Sequence, residues 1–158
     1  MIDTSHIHPM IVHFPIALLI IGFLFDITSL FVKKDFFSQA GFYLLILGAF
    51  GVIAAFISGS MAGDGIAEEG MLKRALETHE GAAELTMWLV SFTSLLRLSL
   101  VLLKKYKGVF QAAAMTLFLL SVLSIARTGY YGGELVYKHA AGVQLNLGFD
   151  FNTTNENE

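Results

Sequence analysis

The sequence predicts an all-α fold, a four-helix transmembrane bundle with both termini on the periplasmic side. Three observations carry that expectation. Apolar residues make up 55% of the 158-residue chain and charged residues only 15%, too greasy for an ordinary soluble domain. The apolar residues lie in four long blocks rather than alternating, the mark of lipid as solvent. Basic residues, finally, crowd one set of connections and not the other.

The first span is expected from Val12 to Val32, close to the ~20 residues that cross a ~30 Å hydrocarbon core. Pro9 suits a first helical turn, with His8 just outside it, because proline lacks an amide hydrogen that would be orphaned there anyway. Pro15 sits deeper and should kink or loosen the helix. Met1-Ile2-Asp3-Thr4-Ser5 lacks the positive region of a secretory signal, so this span is expected to be retained. Lys33-Lys34-Asp35 ends it.

A second span covers Ala40 to Ile57, where Gly41, Gly48 and Gly51 offer a small-residue face for close helix approach. Ser58-Gly59-Ser60-Met61-Ala62-Gly63-Asp64-Gly65 should break it. Residues 66–78 read as a short amphipathic helix or as an early extension of the third span, Ala82 to Leu103. After Lys104-Lys105-Tyr106-Lys107-Gly108, a fourth span runs from Phe110 to Ala126. The membrane domain is taken as residues 1–142, and residues 143–158 as a polar, disordered tail.

Orientation follows from charge. Lys33, Lys34, Arg97, Lys104, Lys105 and Lys107 flank the two tight hairpins, whose only acid is Asp35. Lys73, Arg74, Arg127 and Lys138 on the other face are diluted among most of the chain's acids. The positive-inside bias then places the hairpins in the cytoplasm and both termini in the periplasm of a bacterial inner membrane. With no cysteine, structural disulfides, cysteine-ligated clusters and covalent c-type haem attachment are excluded for this chain. No basic tract suggests nucleic acid.

This topology gathers His6, His8, His13, His79 and His139 at one mouth. Alone, an imidazole at the lipid–water boundary is more often a satisfied polar residue than a ligand. His13, set between Val12 and Phe14, is the least comfortable under that reading. His8 and His13 lie about 140° apart on a regular helix, so one unbroken turn cannot point both inward. A b-type haem needs axial ligands from facing helices and an apolar slot. His13 with His79 meets the demand best, with His8 and His139 capping the site or holding a second centre. Phe14, Trp88, Tyr130 and Tyr131 could wall the slot, and Arg127 could meet the propionates.

The competing site is a bare Zn, Fe or Cu ion held by His8, His13, His79 and His139 with Glu84, near Asp64, Glu77, Glu80 and Glu134. Glu84, inside the third span, needs a partner, and Arg127 is the natural one. Asp26, deep in the first span, is expected to be neutral or paired with Arg97. It would serve as a proton relay or, the favoured reading, as a helix-packing contact.

His8-Pro9-Met10-Ile11-Val12-His13-Phe14-Pro15 reads His-Pro-x-x-Val-His-Phe-Pro. Together with Gly133-Glu134-Leu135-Val136-Tyr137 and Ala141-Gly142-Val143, it resembles a bacterial family of four-helix membrane proteins catalogued as a domain of unknown function. The likeness covers nearly the whole chain. Relatives fused to cytochrome c-like modules imply a redox setting by association. The family's histidines map to His8, His13, His79 and His139. Where relatives often have His-Gly, this chain has His139-Ala140. His6 lies outside the pattern.

A centre confined to one mouth cannot carry electrons across a ~30 Å core. The leading expectation is therefore haem b and electron transfer between a membrane quinol and a periplasmic acceptor such as a cytochrome. The second is a periplasm-facing metal binder or metal-dependent enzyme. The third is a cofactor-free assembly partner whose histidines are pH-sensitive hydrogen bonders. The lipid bilayer is the one partner common to all three, and a homo-oligomer is compatible with each. Transport is the weakest reading, for want of broken helices or an inverted repeat.

Overall fold

A computed structural model describes residues 4–32, 34–63 and 70–141. Four helices account for nearly all of them: α1 Thr4–Phe31, α2 Asp35–Gly63, α3 Gly70–Leu102 and α4 Gly108–His139. Each is long and apolar enough to cross a membrane. At 28 to 33 residues, each is roughly 42–50 Å long and overshoots a ~30 Å core. The tail from residue 143 and Asp64 lie outside the described residues.

Helix existence follows the sequence, and helix ends do not. α2 runs through Ser58-Gly59-Ser60 to Gly63, where a break was expected. α3 starts at Gly70, so the stretch before Ala82 extends that span. α4 continues past Ala126 through Gly129, Gly132 and Gly133. A glycine inside a helix costs only about 1 kcal/mol, less than a backbone left unpaired near lipid. Past His139, Ala140 takes the left-handed conformation at φ 50°, and Ala140 and Ala141 donate their amides to Val136 and Leu135. Pro9 lies in the second turn of α1, not the first, and Pro15 is buried inside the helix.

The chain goes up and down four times. α1 packs on α2 and α4, α3 packs on α2 and α4, and α1 and α3 face each other along a diagonal. The core on the axis is Leu19, Leu45, Val52, Val90, Phe118 and Ile125. At Gly48 an added Cβ would stand 2.7 Å from Leu19, so the absent side chain is what lets α1 and α2 close.

Near the hairpin end the diagonal is bridged by charge. Arg97 of α3 and Asp26 of α1 are 1% and 0% exposed. Arg97 Nη2 donates to Asp26 Oδ1 at 2.7 Å and to the Ser38 carbonyl at 3.0 Å, while Nη1 donates to Asp26 Oδ2. The sequence-based pairing of these two residues is therefore observed. Tyr106, in the α3–α4 connection, lays its ring 4.6 Å from the guanidinium carbon. Burial pushes the Tyr106 phenol up to about 12, so it stays protonated at neutral pH. An added Cβ at Gly41 would sit 2.6 Å from Asp26 Oδ1, so α2 carries a glycine where the carboxylate needs room.

Removing one partner of such a pair strands the other charge. Asp26→Ala or Arg97→Ala is expected to cost about 3–5 kcal/mol, and the double Asp26→Leu/Arg97→Met much less. Thermal unfolding in detergent, followed by circular dichroism, checks this. Equal losses in the single and double variants would contradict it.

Candidate functional site at the terminal mouth

Eighteen residues separate His8 from Asp26 on α1, and the same eighteen separate His79 from Arg97 on α3. That is about five full turns, so His8 shares the inward face of Asp26, and His79 that of Arg97. The two rings consequently meet across the same diagonal at the other end of the bundle. Their centres are 6.4 Å apart, with an interplanar angle of 74°.

The two remaining helices orient them. Ser58 of α2 commits its hydroxyl hydrogen to the Ala55 carbonyl at 3.0 Å, so its oxygen accepts from His8 Nδ1 at 3.1 Å. His79 Nδ1 donates to the Thr128 carbonyl of α4 at 3.2 Å. Both rings are thus held with the proton on Nδ1, and each leaves its Nε2 lone pair for another partner. A bond of this kind on one ring nitrogen fixes the tautomer and the rotation of an imidazole. Close approach again rests on glycine: a Cβ at Gly59 would stand 2.9 Å from His8 Cε1, and one at Gly132 would stand 3.2 Å from His79 Cε1.

His13 lies elsewhere. It is exposed on α1, and its Nδ1 donates back to the Pro9 carbonyl at 2.7 Å. The structure therefore pairs His79 with His8 and not, as the spans suggested, with His13. The reason is that α1 is regular from Thr4, so Pro9 provides no break for His8 to swing about. His139 is half-buried at the last turn of α4, and the side chain of His6 lies outside the described residues.

Among the described residues, three glutamates gather apart from the imidazole pair. Glu77, Glu80 and Glu84 line a separate open crevice of about 490 Å³ between α2 and α3, with Phe56, Ser60 and Gly81. Among the described residues no group of three or more His, Asp or Glu is placed to hold a metal ion. The expected Glu84–Arg127 pair does not form among the described residues. Arg127 is exposed and reaches its own helix neighbour, with Nε 3.4 Å from the Tyr131 hydroxyl and the guanidinium 5.3 Å from that ring. Phe14, Trp88 and Tyr130 point outward as well.

Sequence reasoning missed Ser58, Gly59, Thr128 and Gly132. The phase of Asp26 would have chosen His8 over His13. Nothing local marks a hydroxyl, a carbonyl or a missing Cβ as an imidazole support.

Diethyl pyrocarbonate modifies accessible imidazole nitrogens. In detergent-solubilised protein, peptide mass spectrometry is expected to find His13 modified before His8 and His79, and Gly59→Ala to speed modification of His8. Simultaneous modification of all three would contradict the placement.

A family model described as “Predicted membrane protein (DUF2231)” matches residues 4–145. No curated protein and no solved structure matches the chain.

Proposed function

The chain belongs to the DUF2231 family of predicted membrane proteins, and from that premise we propose that it is a redox component in which His8 and His79 would hold a b-type haem. The ring separation carries this reading. Two imidazoles ligating one ion through Nε2 at about 2.0–2.1 Å hold their centres roughly 6 Å apart when opposed, and roughly 5 Å apart at a tetrahedral angle. The observed 6.4 Å is close to the opposed value.

A bound haem would supply one-electron chemistry. The protein's part is to hold two neutral imidazoles at a fixed spacing, with Ser58 and Thr128 setting their rotation. Arg127, next to Thr128 in the chain, is the cation available to a propionate. The mouth is at the membrane boundary, in reach of a quinol dissolved in lipid and of a periplasmic acceptor, with both termini in the periplasm of the inner membrane. His13 and His139 stand outside the ligand pair in this reading.

Purified protein is expected to show a Soret band and a sharp α-band on reduction. His8→Ala and His79→Ala should each abolish haem retention, while His6→Ala and His13→Ala retain it. A colourless preparation with one metal ion per chain would favour the metal-binding reading instead. Retention of haem in both His8→Ala and His79→Ala would overturn the ligand assignment.

A further inference from the structure

The hairpin end of the bundle carries positive charge that its own acids do not neutralise. Lys34 lies in the α1–α2 connection, and Lys104, Lys105 and Lys107 lie in the α3–α4 connection; all four are exposed. Asp35 is the neighbouring acid, because Asp26 is committed to Arg97. The other ion pair among the described residues, Glu134 with Lys138, belongs to the last turns of α4 at the opposite mouth. None of the four lysines therefore has an ion-pair partner among the described residues.

The two connections meet at one guanidinium. Arg97 donates to the Ser38 carbonyl in the first turn of α2 at 3.0 Å, and the Tyr106 ring lies 4.6 Å from its central carbon. Lys34 comes four residues before Ser38, while Lys105 and Lys107 flank Tyr106. The buried pair thus brings both sets of lysines to one face. Their backbone is held as well. Lys104 takes the left-handed conformation at φ 54°, with its amide on the Val101 carbonyl at 3.0 Å and that of Lys105 on the Leu100 carbonyl at 2.8 Å. The Lys107 amide donates to the Lys105 carbonyl at 2.8 Å. Depth is set by what borders them. Phe36, Leu102, Leu103, Val109 and Phe110 are each more than half exposed, and in a membrane-spanning chain such side chains meet lipid tails. The apolar layer therefore ends within a residue or two of the lysines, whose long stems carry the ammonium groups to the level of the lipid phosphates.

We propose that the hairpin face is a binding site for anionic phospholipid, with the phosphate and its charged headgroup held by Lys34 from one connection and Lys104, Lys105 and Lys107 from the other. The phosphate oxyanion is chemistry that free inorganic phosphate shares. The exposed apolar side chains bordering the lysines decide for lipid, because they give the acyl chains a surface. A zwitterionic lipid brings an ammonium of its own, which the lysines repel, so net negative charge is the selecting feature. The site lies at the opposite end of the bundle from His8 and His79 and does not depend on the haem reading.

The test is native mass spectrometry of the full-length protein in neutral detergent, titrated with phosphatidylglycerol or with phosphatidylcholine of the same acyl chains. Wild-type protein is expected to bind the first phosphatidylglycerol tighter than phosphatidylcholine by about tenfold or more. The quadruple Lys34→Gln/Lys104→Gln/Lys105→Gln/Lys107→Gln variant should lose most of that preference. Single Lys105→Gln and Lys107→Gln should each lower it by about two- to fivefold, and they provide the answer if the quadruple variant does not fold. Lys73→Gln/Arg74→Gln, at the other end of α3, should leave the preference unchanged. Equal wild-type affinity for the two lipids, or an undiminished preference in the folded lysine variants, would overturn the proposal. So would release of phosphatidylglycerol by inorganic phosphate beyond that caused by chloride at equal ionic strength, since the face would then be a site for free phosphate.

Discussion

The Asp26–Arg97 pair is the constraint on which the rest of the bundle depends. In lipid, burying apolar side chains gives little drive for helix association, because the tails outside are as apolar as the core inside. Register must come from polar ties and close fit. Two charges fully out of water are held best each against the other, and here Arg97 Nε is the one buried side-chain donor among the described residues left without a partner. That arrangement joins helices on a diagonal, which no short connection could join. Once Asp26 and Arg97 meet, the axial rotation and the relative height of α1 and α3 are both set. Gly41 on α2 then has to lie against the carboxylate, and Tyr106 in the hairpin closes over the guanidinium.

The histidine pair is the consequence at the other end. Two parallel helices in fixed register carry any in-phase residues into contact, and His8 and His79 are in phase with the ion pair at equal separation. Their supports come from α2 and α4, so all four helices contribute to the mouth. His13, about 140° away from His8 on the same helix, is turned out by that same register.

Much of this was legible in the sequence. The spans, the hairpins and the Asp26–Arg97 partnership all follow from apolar blocks interrupted by two improbable charges. The boundaries were not legible at Ser58-Gly59-Ser60 or at Gly132-Gly133. Glycine and serine read there as breakers, while Gly59 and Gly132 leave the imidazoles the space a side chain would need, and Ser58 bonds His8. The choice between His8 and His13 turned on whether Pro9 interrupts the helix. Pro9 removes one hydrogen bond, and the ladder continues on either side of it, so helical phase decides the matter. The supports of the rings, a serine oxygen and a threonine carbonyl, become visible only in three dimensions.

The two tight helix pairs are built differently. α1 and α2 close through missing side chains, with Gly48 admitting Leu19 and Gly41 admitting Asp26. α3 and α4 close through hydroxyls, with Thr86 against Ser124 and Thr128, and Thr93 against Ser121. Glycine and alanine would bring two helices together in lipid without placing any polar group on the axis. An isolated threonine in such a helix already satisfies its hydroxyl on its own i−4 carbonyl, as Thr116 does on the outer surface. Thr86, Thr93, Ser121 and Thr128 make that bond as well, and each also lies within 3.2 Å of a hydroxyl across the seam. They lie between an imidazole pair at one boundary and a carboxylate at the other.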